Sequence, residues 1–552
     1  MKQIVILLFA AFVAAHFSIP VASGSVSFNT EQWRFAPIFP EYTAKIQNGG
    51  CPYLPEPVDL PDPIPDILQD AFDNITDFLT GFVNDVSVPS VVGSISYNGK
   101  RIYEIAKGKI HKTSTTEAAS HANYTPKMDT IYGIGSVTKV FPVLQMYMLL
   151  QKGVISSLDD PLSKYSPKFK MPNYFSNAQP TLRQIASQLA GLPREAPCNA
   201  PLVCNISNED MIDRLSSVPL IRKPNTYPSY SNLGYALLGR ELTAYAAPNL
   251  TFEEWIQENI LGPLGMKNTG FLYTDNITSS MATGYAANGN AYTNGWVQNL
   301  TGWAAPCGSA YSTVEDLNIL SNAIMHSDMF ELAREDFLLS PNFLNRDGQT
   351  LFGTPWEMAF DAASGVVVRR KGGNLAGFSA LFSFIPELNV SGNFLFNGRT
   401  DEFKASLFYQ KLLPALFAAI KPLQRFPPMP SDTEMDYYVG EYVAGTARIA
   451  ISKSKAPLPN GKSQAILILN FGGSKVLLRD SGLPESNSSS LKTLAVYIPE
   501  ELIGCMSFEL TALDSQFVTF GTASAEPSAE QDHAGYLIIQ GYVPGIVYHR
   551  KH

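Results

Sequence analysis

The chain has 552 residues, 45% hydrophobic and 16% charged, a balance that excludes a disordered polar chain and a small disulfide-stapled module. Its length calls for roughly two to four domains. The formal net charge of −9 leaves no basic field to hold a phosphate backbone, so no nucleic-acid partner is expected.

Residues 1–23, MKQIVILLFAAFVAAHFSIPVAS, read as a signal peptide: an early lysine, an apolar run short of a comfortable bilayer span, then small residues before a cleavage point near Ser23. No later stretch is apolar enough to cross a membrane, and YHRKH at the end is neither a lipid-anchor tail nor a retention signal. The expected product is secreted, extracellular and soluble. Residues 24–65 include CPYLPEPVDLPDPIP, in which each proline removes a backbone donor, so an extended strap is expected there. From Asp66 a helical pattern (ILQDAFDNITDFLTGFV) gives way to two alternating runs, SVVGSISYNG and RIYEIAKGKI, around an Asn-Gly turn. Helical stretches dominate from Ser136 to about Leu261. The strand-like GVVVRRKGG and FSALFSFIP follow, then a helix near Phe403–Ile420.

Strands at both ends with helices between allow the first and last strands to meet in one sheet, which makes residues 66–425 an α+β domain. FPPMPSD, residues 426–432, has a linker's composition. Residues 433–552 hold short alternating runs such as AILILNFGG, KVLLRD and LAVYIP between Gly/Pro/Asn/Ser clusters, the pattern of a smaller all-β sandwich or barrel.

Sequons at Asn74, Asn123, Asn205, Asn249, Asn276, Asn299, Asn389 and Asn487 agree with a eukaryotic secretory route and a glycoprotein. Of the five cysteines (Cys51, Cys198, Cys204, Cys307, Cys505) one must stay unpaired. Cys198 and Cys204 flank a short loop and form the first candidate for a disulfide.

Chemistry points to serine. In GIGSVTKVF, Ser136 and Lys139 are spaced i to i+3, which stacks them on one helical face and holds a cation beside a hydroxyl that is otherwise a poor nucleophile. The spacing alone is weak, because Ser-x-x-Lys recurs at Ser452 to Lys455 and Ser489 to Lys492 in polar settings. Two further motifs single out Ser136: Tyr230-Ser231-Asn232 before an apolar helix, and Lys371-Gly372-Gly373 on a strand of small residues. In this order they resemble the serine β-lactamase and penicillin-binding superfamily, most closely the branch of class C β-lactamases, D-stereospecific peptidases and related esterases. LQKGVISSLDDPLSKYSP, TLRQIASQLAGLP, PLGMKNTGF and PCGSAYSTVEDL look like further landmarks of that family across residues 85–420.

The resemblance implies a β-lactamase/transpeptidase-like domain, an antiparallel sheet with flanking helices and a helical subdomain, followed by the β-domain. It implies an acyl-enzyme on Ser136, a proton network held by Lys139, and Tyr230 as general base. Asn232 would orient the lysine and a substrate carbonyl, and the backbone N–H groups of Ser136 and Asn374 would form the oxyanion hole. Lys371 and Gly373 would line the substrate cleft. A phenol with a pKa of about 10 needs lowering by about 3 to act near neutrality, about 4 kcal/mol. One cation at about 4 Å supplies that only at an effective dielectric of about 20, so both Lys139 and Lys371 are enlisted. Gly372 stands where β-lactamases commonly carry a hydroxyl, which weakens β-lactam recognition, whereas Lys371 keeps a cation suited to a substrate carboxylate. Pro142 is expected to kink the nucleophile helix.

An α/β-hydrolase elbow is missing, since Gly377-Phe378-Ser379-Ala380-Leu381 lacks the second glycine. The seven histidines are scattered, so neither a metal nor any cofactor is expected. The reading is a secreted serine hydrolase that cleaves an ester, amide or lactam of a small-molecule or short acyl-peptide-like substrate. An acyltransferase acting on a small metabolite and a non-catalytic binding relative are the alternatives.

Overall fold

The computed structural model describes residues 54–551 apart from 56, 84–86, 112–124, 199–203, 293–301, 336–337, 362–363, 376, 401–404, 424–428, 458–462, 472–473, 482, 484–490, 498–515, 522–532 and 540–545. The signal peptide, most of the strap, Cys51, Cys505, Asn123, Asn299 and Asn487 lie outside the described residues. Contacts divide the chain into two units, one of which runs from Leu54 to Ile420 and the other of which holds the residues from Lys421 onward.

In the first unit α1 (Asp66–Thr80) leads into the hairpin β1 (Ser90–Tyr97) and β2 (Lys100–Gly108). The sheet is completed much later by β3 (Phe343–Leu344), β4 (Thr350–Phe352), β5 (Glu357–Asp361), β6 (Val366–Leu375), β7 (Phe378–Ile385) and β8 (Val390–Phe396). The order across it is β2-β1-β8-β7-β6-β5-β4-β3. All ladders are antiparallel, and the first strand meets the last with Val91 opposite Phe396 and Tyr97 opposite Val390. Every residue of β7 and β8 is buried, because the sheet is covered on both faces. One cover is α1 with α5 (Ala405–Ile420), whose Leu68, Ile75, Leu412 and Leu416 pack with Ile95, Leu381 and Phe394. The other is the helical region between β2 and β3.

At the centre of that region lies α2 (Val140–Gln151), in which every residue from Val140 to Leu149 is buried; a helix apolar all round belongs in a core. Two more helices bear on the site: α3 (Asn232–Ala246) and α4 (Val314–His326). The second unit is a closed antiparallel barrel of eight strands, β9 (Gly440–Ala444), β10 (Ala447–Pro457), β11 (Ser463–Phe471), β12 (Ser474–Asp480), β13 (Leu491–Tyr497), β14 (Phe517–Gly521), β15 (Tyr536–Ile539) and β16 (Tyr548–Arg550). Its interior is filled by side chains including Tyr442, Leu467, Leu478 and Phe520. Ser452 and Lys455 sit on β10 rather than in a loop, and at three residues apart they point to opposite faces of the strand.

Candidate active site

Ser136 lies not in an α-helix but in a 3₁₀ turn, Gly135–Lys139, that runs directly into α2. Residues i and i+3 eclipse in a 3₁₀ turn, so Ser136 and Lys139 are stacked more directly than α-geometry allows. Pro142 is the third residue of α2. Its missing N–H therefore falls in the first turn, where helix donors have no intrahelical partner. The kink expected in a nucleophile helix is replaced by a change of helix type before the proline.

Two glycines seat β6 against this turn. Gly135 has φ 50°, and a Cβ there would lie 2.8–2.9 Å from the backbone of Asn374. A Cβ on Gly373 would lie 1.9 Å from the carbonyl oxygen of Ile134. Gly373 thus allows close packing of the strand on the turn that carries Ser136. The Cβ direction of Gly372 points toward Glu357, 3.9 Å from its Oε2.

Lys139 is fully buried. As an ammonium it carries three donors, and they go to Ser136 Oγ at 2.9 Å, Asn232 Oδ1 at 2.7 Å and the carbonyl of Cys307 at 2.6 Å. Tyr230 Oη donates to Ser136 Oγ at 2.6 Å. The chain around Tyr230 is clamped by Gln188, which holds a left-handed φ of 65°. Its carbonyl accepts from Ser229 N at 2.8 Å and its side chain from Ser231 N at 2.7 Å. A strained non-glycine residue beside a reactive group persists because its surroundings over-determine it. Ser231, not Asn232, is the N-cap of α3, which frees the Asn232 side chain for the lysine.

Burial would push the Tyr230 phenol up, but Lys371, Lys139 and the bond to Ser136 outweigh it and hold the pKa below the ordinary tyrosine value. Lys139 Nζ and Lys371 Nζ lie 4.9 and 5.4 Å from the ring centre. Lys371 is buried on β6 and donates to Glu357 Oε1 at 2.6 Å. Burial would lower its pKa, but Glu357 and Tyr230 raise it, so the lysine remains cationic. The charge of Lys371 thus already has a carboxylate partner in Glu357.

Asn232 differs from expectation in a similar way. Its Nδ2 donates to both oxygens of Glu195, at 2.8 and 2.9 Å, so the amide that the resemblance assigns to a substrate carbonyl already holds a carboxylate of the protein. Asn374 is exposed at the strand end with its side chain accepting from Ser379 Oγ at 2.8 Å. Its backbone lies beside Gly135, one residue before Ser136. Ser136, Lys139, Tyr230, Asn232, Lys371 and Gly373 thus come together around one hydroxyl.

Glu357, Glu195, Arg194 and the Cys307 carbonyl belong to the same constellation and were not singled out from the sequence. A carboxylate in the apolar run Trp356-Glu357-Met358 is the one local signal that sequence reasoning could have used. Cys198 and Cys204 are joined in a disulfide with Cα atoms 5.4 Å apart, and buried Cys307 is free, its thiol pushed up to about 11 by burial. Of the sequons, Asn74, Asn205, Asn249 and Asn276 are exposed. Asn389 instead lies between His326 Nε2 at 2.7 Å and Asn98 Oδ1 at 3.0 Å. Among the described residues no cluster of His, Cys, Asp or Glu could hold a metal ion, and no helix is long and apolar enough to cross a membrane.

Residues 75–415 match the sequence profile of the Beta-lactamase family. The chain is 31% identical over 453 residues to Beta-lactamase-like protein 2 of Dictyostelium discoideum, covering 77% of this chain and 78% of that one. A human beta-lactamase-like protein is 33% identical over 397 residues, 69% of this chain and 75% of its own. The fold superposes on the Beta-lactamase/D-alanine Carboxypeptidase of Yersinia pestis, solved with citrate, with a TM-score of 0.52 at 22% identity over 64% of this chain and 99% of that one.

Proposed function

Because the chain belongs to the serine β-lactamase family, we propose that it is a serine hydrolase that forms an acyl-enzyme on Ser136 and cleaves esters or amides that carry no carboxylate on the leaving-group side. The observation that carries this reading is the chain Tyr230 Oη, Ser136 Oγ, Lys139 Nζ, with contacts of 2.6 and 2.9 Å. Within hydrogen-bond reach, an ionised Tyr230 takes the proton from Ser136 Oγ as the oxygen attacks the substrate carbonyl. The backbone N–H groups of Ser136 and Asn374 receive the developing oxyanion. Tyr230 then returns the proton to the departing alkoxide or amine. In the second half it draws a proton from water, which attacks the acyl carbonyl, and passes that proton to Ser136 Oγ as the acid departs.

Substrate preference follows from charge. Lys371 is paired with Glu357, and Gly372 supplies no hydroxyl, so neither favours a carboxylated lactam over a neutral ester. Residues 1–23 and the exposed sequons support secretion as a glycoprotein.

The test is turnover of p-nitrophenyl butyrate and a chromogenic cephalosporin by the wild type and Ser136→Ala. The ester should give the higher kcat/KM by at least about tenfold, one step of about 1.4 kcal/mol in transition-state binding, and Ser136→Ala should lose both activities. Equal turnover by the variant would remove Ser136 from the reaction, and a preference for the cephalosporin would overturn the substrate class.

A further inference from the structure

Arg194 is an arginine beside the general base that no motif announces. Its backbone is fixed to the start of α3: the carbonyl of Pro193 accepts from Ser231 Oγ at 2.6 Å, and the carbonyl of Arg194 accepts from Asn232 N at 2.6 Å. The segment that carries it is therefore anchored immediately after Tyr230. From there its guanidinium carbon lies 4.9 Å from the centre of the Tyr230 ring, within the distance at which a cation is attracted to an aromatic face. Its side chain is 66% exposed, unlike the buried Lys139 and Lys371.

The charges around Tyr230 come from several elements. Lys139 ends the nucleophile turn, Lys371 lies on β6, and Glu357 faces Lys371 from β5. Tyr235 packs below on α3, buried and neutral, its phenol pushed well up by burial. Glu195 stands beside Arg194, 3.3 Å from its Nε, while also holding Asn232 Nδ2. The two lysines have committed partners; Arg194 faces solvent.

We propose that Arg194 is a positioning residue for Tyr230, an outer cation that holds the phenol ring against Ser136 from the solvent side, with Glu195 opposing its charge. This rests on Tyr230 being the base for Ser136. A unit charge at this range in a nearly aqueous setting moves a titration by about half a pH unit, and solvent screening keeps it from being larger. Removing the cation disfavours the phenolate, so the acidic limb of activity moves to higher pH. Removing the opposing carboxylate moves it to lower pH.

The experiment is the rate of Ser136 acylation by p-nitrophenyl acetate from pH 5 to 9, for the wild type, Arg194→Leu, Arg194→Lys, Glu195→Gln and Ser136→Ala. Arg194→Leu should shift the acidic limb up by about 0.5 pH unit, a roughly threefold loss below the limb, while the high-pH plateau falls by less than twofold. Arg194→Lys should keep the wild-type limb, and Glu195→Gln should move it down. An unmoved limb in both charge-removing variants, or a loss equal at every pH, overturns the role of Arg194 and leaves the base assignment standing. Acylation of Ser136→Ala at the wild-type rate overturns the base assignment itself and the proposal with it.

Discussion

Lys371 Nζ stands 2.6 Å from Glu357 Oε1, with the lysine side chain 1% exposed and the glutamate 33% exposed. Burying a cation this completely is tolerable only with a partner. The pair keeps Lys371 charged at 5.4 Å from the Tyr230 ring, where its field helps hold the Tyr230 pKa below the ordinary value.

Glu357→Gln removes the carboxylate partner of buried Lys371. The expected cost is about 2 kcal/mol, below the full buried-pair penalty because the carboxylate keeps some contact with water. Burial would raise the Glu357 pKa, but Lys371 overcomes this and holds it below the ordinary value. A depressed folded pKa contributes stability that is present above about pH 4.3 and is lost as pH falls through the folded value. Thermal melts from pH 3 to 7 should show this acid-side loss in the wild type and a smaller one in the variant; superimposable curves would speak against the pair.

Tyr230→Phe removes the Oη that contacts Ser136 and keeps the ring. Acylation should fall by about 10²–10⁴-fold, the range for a positioned base. The wild-type rate should decline as pH drops through the lowered Tyr230 pKa, whereas the variant should show no such limb. A stopped-flow pH profile with retained thermal stability checks both.

Gly373→Ala places a methyl carbon 1.9 Å from the Ile134 carbonyl oxygen, and neither backbone can yield cheaply. The nucleophile turn must shift by about 1 Å, which costs about 100-fold in rate when reacting groups are misplaced. The expected result is a folded protein with a lower Tm and about 100-fold slower acylation. By contrast, Gly372→Ala should be mild, since its Cβ meets only Glu357 Oε2 at 3.9 Å.

Asn389 should carry no glycan in the mature protein. Its amide is held by Asn98 and His326 in a left-handed conformation at φ 50°, and Ser391 of its sequon is buried on β8. Peptide mapping after enzymatic deglycosylation in oxygen-18 water should label Asn74, Asn205, Asn249 or Asn276 and leave Asn389 unlabelled.

The meeting of Ser136, Lys139 and Tyr230 was legible because their identities and spacing carry information that local structure preserves. The sheet closure of β1 on β8 was readable from strands at both ends of a helical middle. What stayed hidden were groups whose role arises only on folding. Glu357 sits 14 residues before Lys371 in sequence, and Arg194 and Glu195 meet Tyr230 and Asn232 across more than 30 residues. A single charged residue has no periodicity to betray its partner. The 3₁₀ turn was hidden too, since Pro142 reads as a helix breaker until the start of α2 is known.

On this mechanism Ser136 becomes acylated with Tyr230 as its base. Intact-mass analysis after mixing with p-nitrophenyl acetate, followed by peptide mapping, measures it directly. The expected result is one acetyl adduct on the Ser136 peptide of the wild type, about 10²–10⁴-fold slower in Tyr230→Phe and absent in Ser136→Ala. An adduct on another residue, or the same adduct rate in Ser136→Ala, would contradict the account.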